Sequence, residues 1–163
     1  MSVAVYDENN IFAKILRGEA PCVKIFEDRC SFGFMDIMPR TPGHALIIPK
    51  VPARNIFDIA PAHLAEMMPS MQKVALAVKK AMVCDGLSIQ QFNETAGGQV
   101  VFHLHFHILP RWEGVALKPP GGPIEKPEIL AAHAEKIVAA LGVGQDSHTP
   151  PSPLAGEGVV AKR

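Results

Sequence analysis

Between Val100 and Leu109 the chain reads Val-Val-Phe-His-Leu-His-Phe-His-Ile-Leu, with an imidazole at every second position from 103 to 107 and apolar side chains between. A period of two is a strand signature, because alternate side chains of a strand project to opposite faces. The spacing predicts a strand over this run, with His103, His105 and His107 in one row and Leu104, Phe106 and Ile108 turned into the core. Shorter strands are predicted at 23–27, 31–36, 44–49 and 87–93, with turn chemistry at Asp28-Arg29 and Thr41-Pro42-Gly43. A short helix is expected at 11–17. From Pro61 to Cys84, Leu64, Met67, Met68, Met71, Val74, Ala75, Val78 and Met82 recur with helical spacing, and Pro69 within them predicts a kink or two abutting helices. Ile129, Leu130, Ile137, Val138 and Leu141 mark a final helix over 126–141. The pattern reads as α+β, a mainly antiparallel sheet with helices on one side.

Composition narrows the class. The 163 residues are 48% hydrophobic with 16 basic and 16 acidic side chains. One domain of this size buries a sizeable core, and a balanced charge gives no pull toward nucleic acid. No basic N-terminal region leads into an apolar stretch and no run reaches membrane-span length, so a cytoplasmic protein with no membrane partner is expected. Cys22, Cys30 and Cys84 are too few and too widely spaced for a disulfide framework or a zinc knuckle, and reduced, partly buried thiols are expected. Residues 145–163 are rich in Pro and Gly without periodic hydrophobicity and read as a flexible tail, leaving 1–144 as the catalytic domain.

Histidine serves as nucleophile, proton donor or metal ligand near neutral pH. The row is therefore open to three readings: a metal triad with an open position, a metal-free phosphate site, or a packed face. Two features of the flanks favour an anion. Gly97-Gly98 lets the main chain approach a ligand closely, so the amides of Gly98, Gln99 and Val100 are candidate phosphate donors. No Asp or Glu lies in the strand or within three residues of it to support a metal.

The segment from Asn93 to Arg111, with Gly-Gln and the string His-Leu-His-Phe-His-Ile-Leu-Pro-Arg, resembles the histidine triad (HIT) superfamily of nucleotide hydrolases and transferases. The resemblance extends to Asn10-Ile11-Phe12-Ala13-Lys14-Ile15-Leu16-Arg17-Gly18, similar to the family's opening helix. It also takes in Phe34-Met35-Asp36-Ile37-Met38-Pro39 with Thr41-Pro42-Gly43-His44, similar to its nucleoside-binding strand and turn. It covers residues 8 to 112 in order.

The resemblance implies a HIT-like sheet of about five strands and a covalent nucleotidyl-histidine on His105. A backbone carbonyl of the same strand would fix the His105 tautomer, His107 would contact the phosphate or leaving group, and His103 and His44 would hold His105 in line. Asp36 would accept from the ribose hydroxyls, and Ile11, Phe12, Ile15, Phe34 and Ile37 would form the base slot, although as apolar residues they also suit an ordinary core. Asn93, Gly98, Gln99 and Val100 complete the expected nucleotide site. The resemblance further implies a purine nucleotide substrate, a homodimer and no cofactor. The chain departs from the family at several points, among them Val51-Pro52-Ala53, where a histidine is expected shortly after Ile-Pro-Lys, and an Asn93–His103 interval about one residue shorter than expected. Asn10 and Ala13 stand where some members carry a Cys-x-x-Cys for structural zinc, and Val100 stands where the phosphoramidase branch often has a proton-donating serine. No structural zinc and weaker P–N cleavage are expected. The sequence leads to a metal-independent hydrolase or transferase acting at the α-phosphate of a nucleoside phosphoramidate, dinucleoside polyphosphate or adenylated compound. A regulatory nucleotide-binding protein and a metalloenzyme using the triad remain alternatives.

Overall fold

A computed structural model describes residues 4–142, so the expected tail at 145–163 lies outside the described residues. The elements run α1 (Ile11–Leu16), β1 (Lys24–Glu27), β2 (Ser31–Met35), β3 (Ala45–Pro49), α2 (Pro61–Met82), β4 (Gly86–Gln90), β5 (Phe106–Arg111) and α3 (Pro127–Leu141). The five strands form one antiparallel sheet in the order β1-β2-β3-β5-β4. No helix among the described residues is long and apolar enough to cross a membrane.

The two faces of the sheet divide the core. On one face Ile25, Phe26, Met35, Ala45, Ile47 and Ile108 meet Val74, Ala77 and Val78 of α2 and Leu130, Ala134 and Ile137 of α3. The two long helices thus share one face, as the periodicity predicts, and α3 belongs to the same core as the sheet. On the other face Phe32, Phe34, Leu46 and Ile48 pack against Phe12 and Ile15 of α1. Asn10 caps α1, its side-chain oxygen accepting the Ala13 N–H at 2.9 Å, which fixes where this short helix starts. The three cysteines are free thiols, with Cys84 buried and the others half-buried.

One expectation is narrowed and one needs correction. Of the kink or two abutting helices expected at Pro69, the second is excluded, because helix α2 continues through Pro69 as one element. Pro69 withholds a hydrogen bond from the Ala65 carbonyl, but both residues are exposed, so that carbonyl faces water and the helix survives. The strand expected to carry all three histidines begins only at Phe106. Its ladder to β3 pairs Ile108, His107 and Phe106 with Ala45, Leu46 and Ile47 and stops short of Pro49, which has no N–H to donate. Residues 101–105 turn instead toward the segment after β3, where Leu104 N–H donates to the Ala53 carbonyl at 2.8 Å. Leu104 then packs with Ala53, Ile59 and Met67 in a separate buried cluster.

Burial separates neighbouring positions on α3. Ile137 is fully buried and Val138 is exposed. Ile137→Ala is expected to lower stability in denaturant unfolding by about 2–5 kcal/mol. Val138→Ala should stay within about 0.5 kcal/mol. Similar small losses at both positions would detach α3 from the core.

Candidate active site

The pairing of β3 with β5 builds the site. His107 lies on β5 opposite Leu46, and His44 immediately precedes β3 on the same face. The turn before His44 depends on Gly43, whose φ of +78° suits glycine and where a Cβ would stand 2.5 Å from Met82 Cγ. His103, His105 and His44 are buried and His107 is half-buried. His105 is wedged edge-on against Phe12 at 5.0 Å and against His107 at 5.0 Å between ring centroids.

The partners of the four imidazoles assign their tautomers. His103 Nε2 lies 2.9 Å from the Pro49 carbonyl, which only accepts, so Nε2 carries the proton and Nδ1 accepts from the Tyr6 hydroxyl at 2.6 Å. His105 Nδ1 lies 2.6 Å from the His103 carbonyl and must donate, which leaves an Nε2 lone pair with no protein partner among the described residues. His44 Nδ1 accepts the Arg40 backbone N–H at 3.2 Å, so its proton sits on Nε2, 2.9 Å from His107 Nδ1. His107 Nδ1 therefore accepts, and His107 Nε2–H is left as a donor. A lone pair on one ring thus stands beside an N–H on the next.

Burial keeps these rings neutral. Desolvation pushes His44 and His107 down to about 3 and His103 to about 4, and it lowers His105 as well. The neighbouring His105 adds to the lowering of the other three, and the Arg40 charge adds to that of His44 and His107. Backbone acceptors at Pro49 and His103 oppose the shift in His103 and His105 without reversing it. Asp36, half-buried beside the relay, accepts the Met38 N–H through Oδ1 at 2.8 Å and holds Oδ2 3.5 Å from His44 Nε2.

The expected nucleotide residues divide into two groups. Phe12, Ile15 and Phe34 are buried in one cluster, while Ile11 and Ile37 are exposed. Ile11 and Val100 line a depression of about 360 Å³ together with Asn10, Arg54 and Phe102. Asn93 and Gln99 brace loops instead of facing open space. Asn93 accepts the Ile56 N–H and pairs amide to amide with Gln91. Gln99 is buried and bonds Asn55, the Arg54 and Val101 carbonyls and the Glu94 N–H. The expected phosphate cradle is also smaller than foreseen. Gly98 N–H and Gln99 N–H donate to the Thr95 and Glu94 carbonyls within a 3₁₀ turn, and of the three amides only Val100 N–H has no partner among the described residues.

Sequence reasoning missed what anchors this loop. Arg54 grips Glu94 with two hydrogen bonds of 2.7 and 2.8 Å and stacks over Phe102 at 3.9 Å, while Asn55, buried, donates to Glu94 at 2.7 Å. These contacts hold the Glu94 carboxyl down at about 2. Tyr6, the other omission, was hidden because its partner lies 97 residues away.

A family model for the HIT domain matches residues 17–114. The chain belongs to the HIT family. It is 37% identical over 134 residues to the adenosine 5'-monophosphoramidase hnt1 of Schizosaccharomyces pombe, covering 80% of this chain and 97% of that protein. It is 39% identical over 103 residues to the adenylylsulfatase HINT3 of Arabidopsis thaliana, covering 63% of this chain and spanning about half, 52%, of that longer protein. The crystal structure of a Hit-like protein involved in cell-cycle regulation from Bartonella henselae superposes with a TM-score of 0.80 at 49% identity, covering 84% of this chain and 99% of that one. HIT-family catalytic chemistry in general is the frame for the site.

A metal held by the triad does not fit this geometry. Among the described residues the ligand-type cluster is Asp36, His44 and His107, with one atom each within 4.8 Å. His103 has both ring nitrogens bonded to protein, and His105 Nδ1 is likewise taken. The 2.9 Å between His44 and His107 is a hydrogen-bond length, shorter than the roughly 3.3 Å between two nitrogens on a tetrahedral zinc. His44 would also have to release the proton that the Arg40 amide forces onto Nε2.

The depressed imidazoles link stability to pH. The unfolded chain binds protons on these histidines below about pH 6.5, whereas the folded chain leaves His44, His103 and His107 neutral until about pH 3 to 4. Their contribution is present above pH 6.5 and is lost as pH falls toward 4. The denaturant midpoint should drop between pH 6.5 and 4.5, with a shallower drop in His44→Gln. A flat profile across that window would contradict neutral burial.

Proposed function

We propose that the protein is a metal-independent nucleotidyl hydrolase or transferase in which His105 forms a covalent nucleotidyl-histidine. The observation that carries this reading is the bond from His105 Nδ1–H to the His103 carbonyl, which leaves the Nε2 lone pair available at neutral pH. Nε2 attacks the α-phosphorus and the leaving group takes the electron pair of the bond it breaks. His107 Nε2–H stands on the adjoining ring to donate to phosphate oxygens as charge develops. Water or another acceptor then attacks phosphorus and frees His105.

Relatives named as an adenosine 5'-monophosphoramidase and an adenylylsulfatase support a nucleoside phosphoramidate or another adenylated compound as substrate, and the sequence resemblance of Ile-Leu-Pro-Arg after the triad adds a dinucleoside polyphosphate as a candidate. Asp36 is assigned to the ribose hydroxyls, with the α1 cluster taking the base. Exposed Val100 offers no hydroxyl to a leaving nitrogen, so P–N cleavage is expected to be the slower reaction. We assign the chain to a homodimer on family grounds.

Intact-protein mass after mixing with a diadenosine polyphosphate, quenched in base, should show an added AMP in the wild type and none in His105→Ala. Turnover in that variant should fall by more than about 10³-fold while nucleotide binding persists, and a chelator should change nothing. Consumption of substrate by His105→Ala at the wild-type rate would remove His105 from the chemistry. Asp36→Ala should discriminate less between ribo- and 2'-deoxy-substrates, measured as a ratio of kcat/KM. An unchanged ratio would remove Asp36 from the ribose site.

A further inference from the structure

Arg40 is the cation nearest the relay. Its backbone N–H holds His44, and its side chain runs toward the His107 side of the site, with Nη1 3.0 Å from Gln90 Oε1. Gln90 stands directly opposite His107 in the β4–β5 ladder, so the two side chains share a face, and the guanidinium bonded to Gln90 lies on the His107 side of the sheet. Nε donates to the Lys118 carbonyl at 2.8 Å, and the Lys118 N–H returns a bond to the Arg40 carbonyl at 2.9 Å. The guanidinium is thereby held in place before any ligand arrives.

Both of its acceptors are neutral. Among the described residues no carboxylate lies within 4.0 Å of Arg40, unlike Arg17, Arg29 and Arg54, which each pair with a glutamate. Nη2 donates to no protein acceptor among the described residues. A fixed positive charge with no direct carboxylate partner among the described residues therefore flanks two neutral imidazoles, and its field reaches both rings together with that of the Asp36 carboxylate, which lies 3.5 Å from His44 Nε2. Arg111, the other basic residue along β5, is turned away from this role. It lies four residues beyond His107, about 13 Å along the strand, and binds Ser88 Oγ at 3.2 Å.

We propose that Arg40 binds an anionic leaving group, so that the preferred substrate carries at least one further phosphate beyond the one attacked. This deepens the nucleotidyl-transfer reading and rests on it. As His105 Nε2 bonds to the α-phosphorus, the bridging P–O bond breaks and its electron pair stays on the departing oxygen. The negative charge spreads over the leaving phosphate, where the guanidinium and His107 Nε2–H receive it. An amine leaving group carries no such charge and gains nothing from Arg40.

Two substrates with the same adenylyl group separate this role from general damage. In Arg40→Gln, kcat/KM for diadenosine tetraphosphate should fall at least about tenfold further than kcat/KM for adenosine phosphoramidate, and Arg40→Lys should recover part of that difference. Equal losses on both substrates, or no loss on either, would overturn the proposal. Calorimetric titration in a His105→Ala background gives a readout without turnover. Arg40→Gln should weaken ADP relative to AMP by about tenfold. An unchanged ADP-to-AMP ratio overturns the leaving-group role alone, whereas a wild-type site that binds neither nucleotide overturns the nucleotide reading with it.

Discussion

The carbonyl of Pro49 holds the site together. It ends β3 with an acceptor but no donor, and the His103 Nε2–H fills that acceptor at 2.9 Å. The bond draws residues 101–105 out of the ladder and settles the His103 ring tautomer, which admits Tyr6 from the N-terminal segment. It also aims the His103 carbonyl, now outside any strand pairing, at His105 Nδ1. A β5 extended as a regular strand would commit that carbonyl to its neighbour and leave His105 free to rotate.

Two chains of hydrogen bonds meet at His105 and His107, and each begins at a backbone group that cannot change role. One runs from the Pro49 and His103 carbonyls to His105, the other from the Arg40 amide through His44 to His107. Amides and carbonyls have one function each as donor and acceptor, so the proton positions are settled by the fold. Desolvation reinforces them, because a second proton on any of these rings would place a charge in a buried, poorly solvated site. The His105 Nε2 lone pair and the His107 Nε2–H are thus set by backbone groups at the far ends of the two chains.

Much of this was legible in the chain because the signals are local. The stripe of Val74, Val78 and Ile137 reports one sheet face, and Phe32, Phe34, Leu46 and Ile48 alternate onto the other. What escaped reading depends on distant partners. The period of two persists through His103 and His105 although the strand does not, since the cause is a proline 54 residues earlier. Asn93 and Gln99 look like ligand donors in sequence, yet their carboxamides are consumed by Gln91, Asn55 and Glu94. Pro69 looks like a break only until the exposure of Ala65 is known.

The sheet order places neighbours in the site far apart along the chain. His44 and His107 are separated by 63 residues and Tyr6 and His103 by 97, and β3 meets β5 only after α2 and β4 have been threaded between them. Closing so long a loop costs entropy before any contact returns it, and antiparallel pairings of this kind form late in folding. His105 therefore acquires its tautomer, its neighbour and its dry surroundings together as the sheet closes. A chain that has collapsed without registering β3 against β5 leaves His44 and His107 apart, so the tautomers of the four imidazoles stay unset until the sheet is complete.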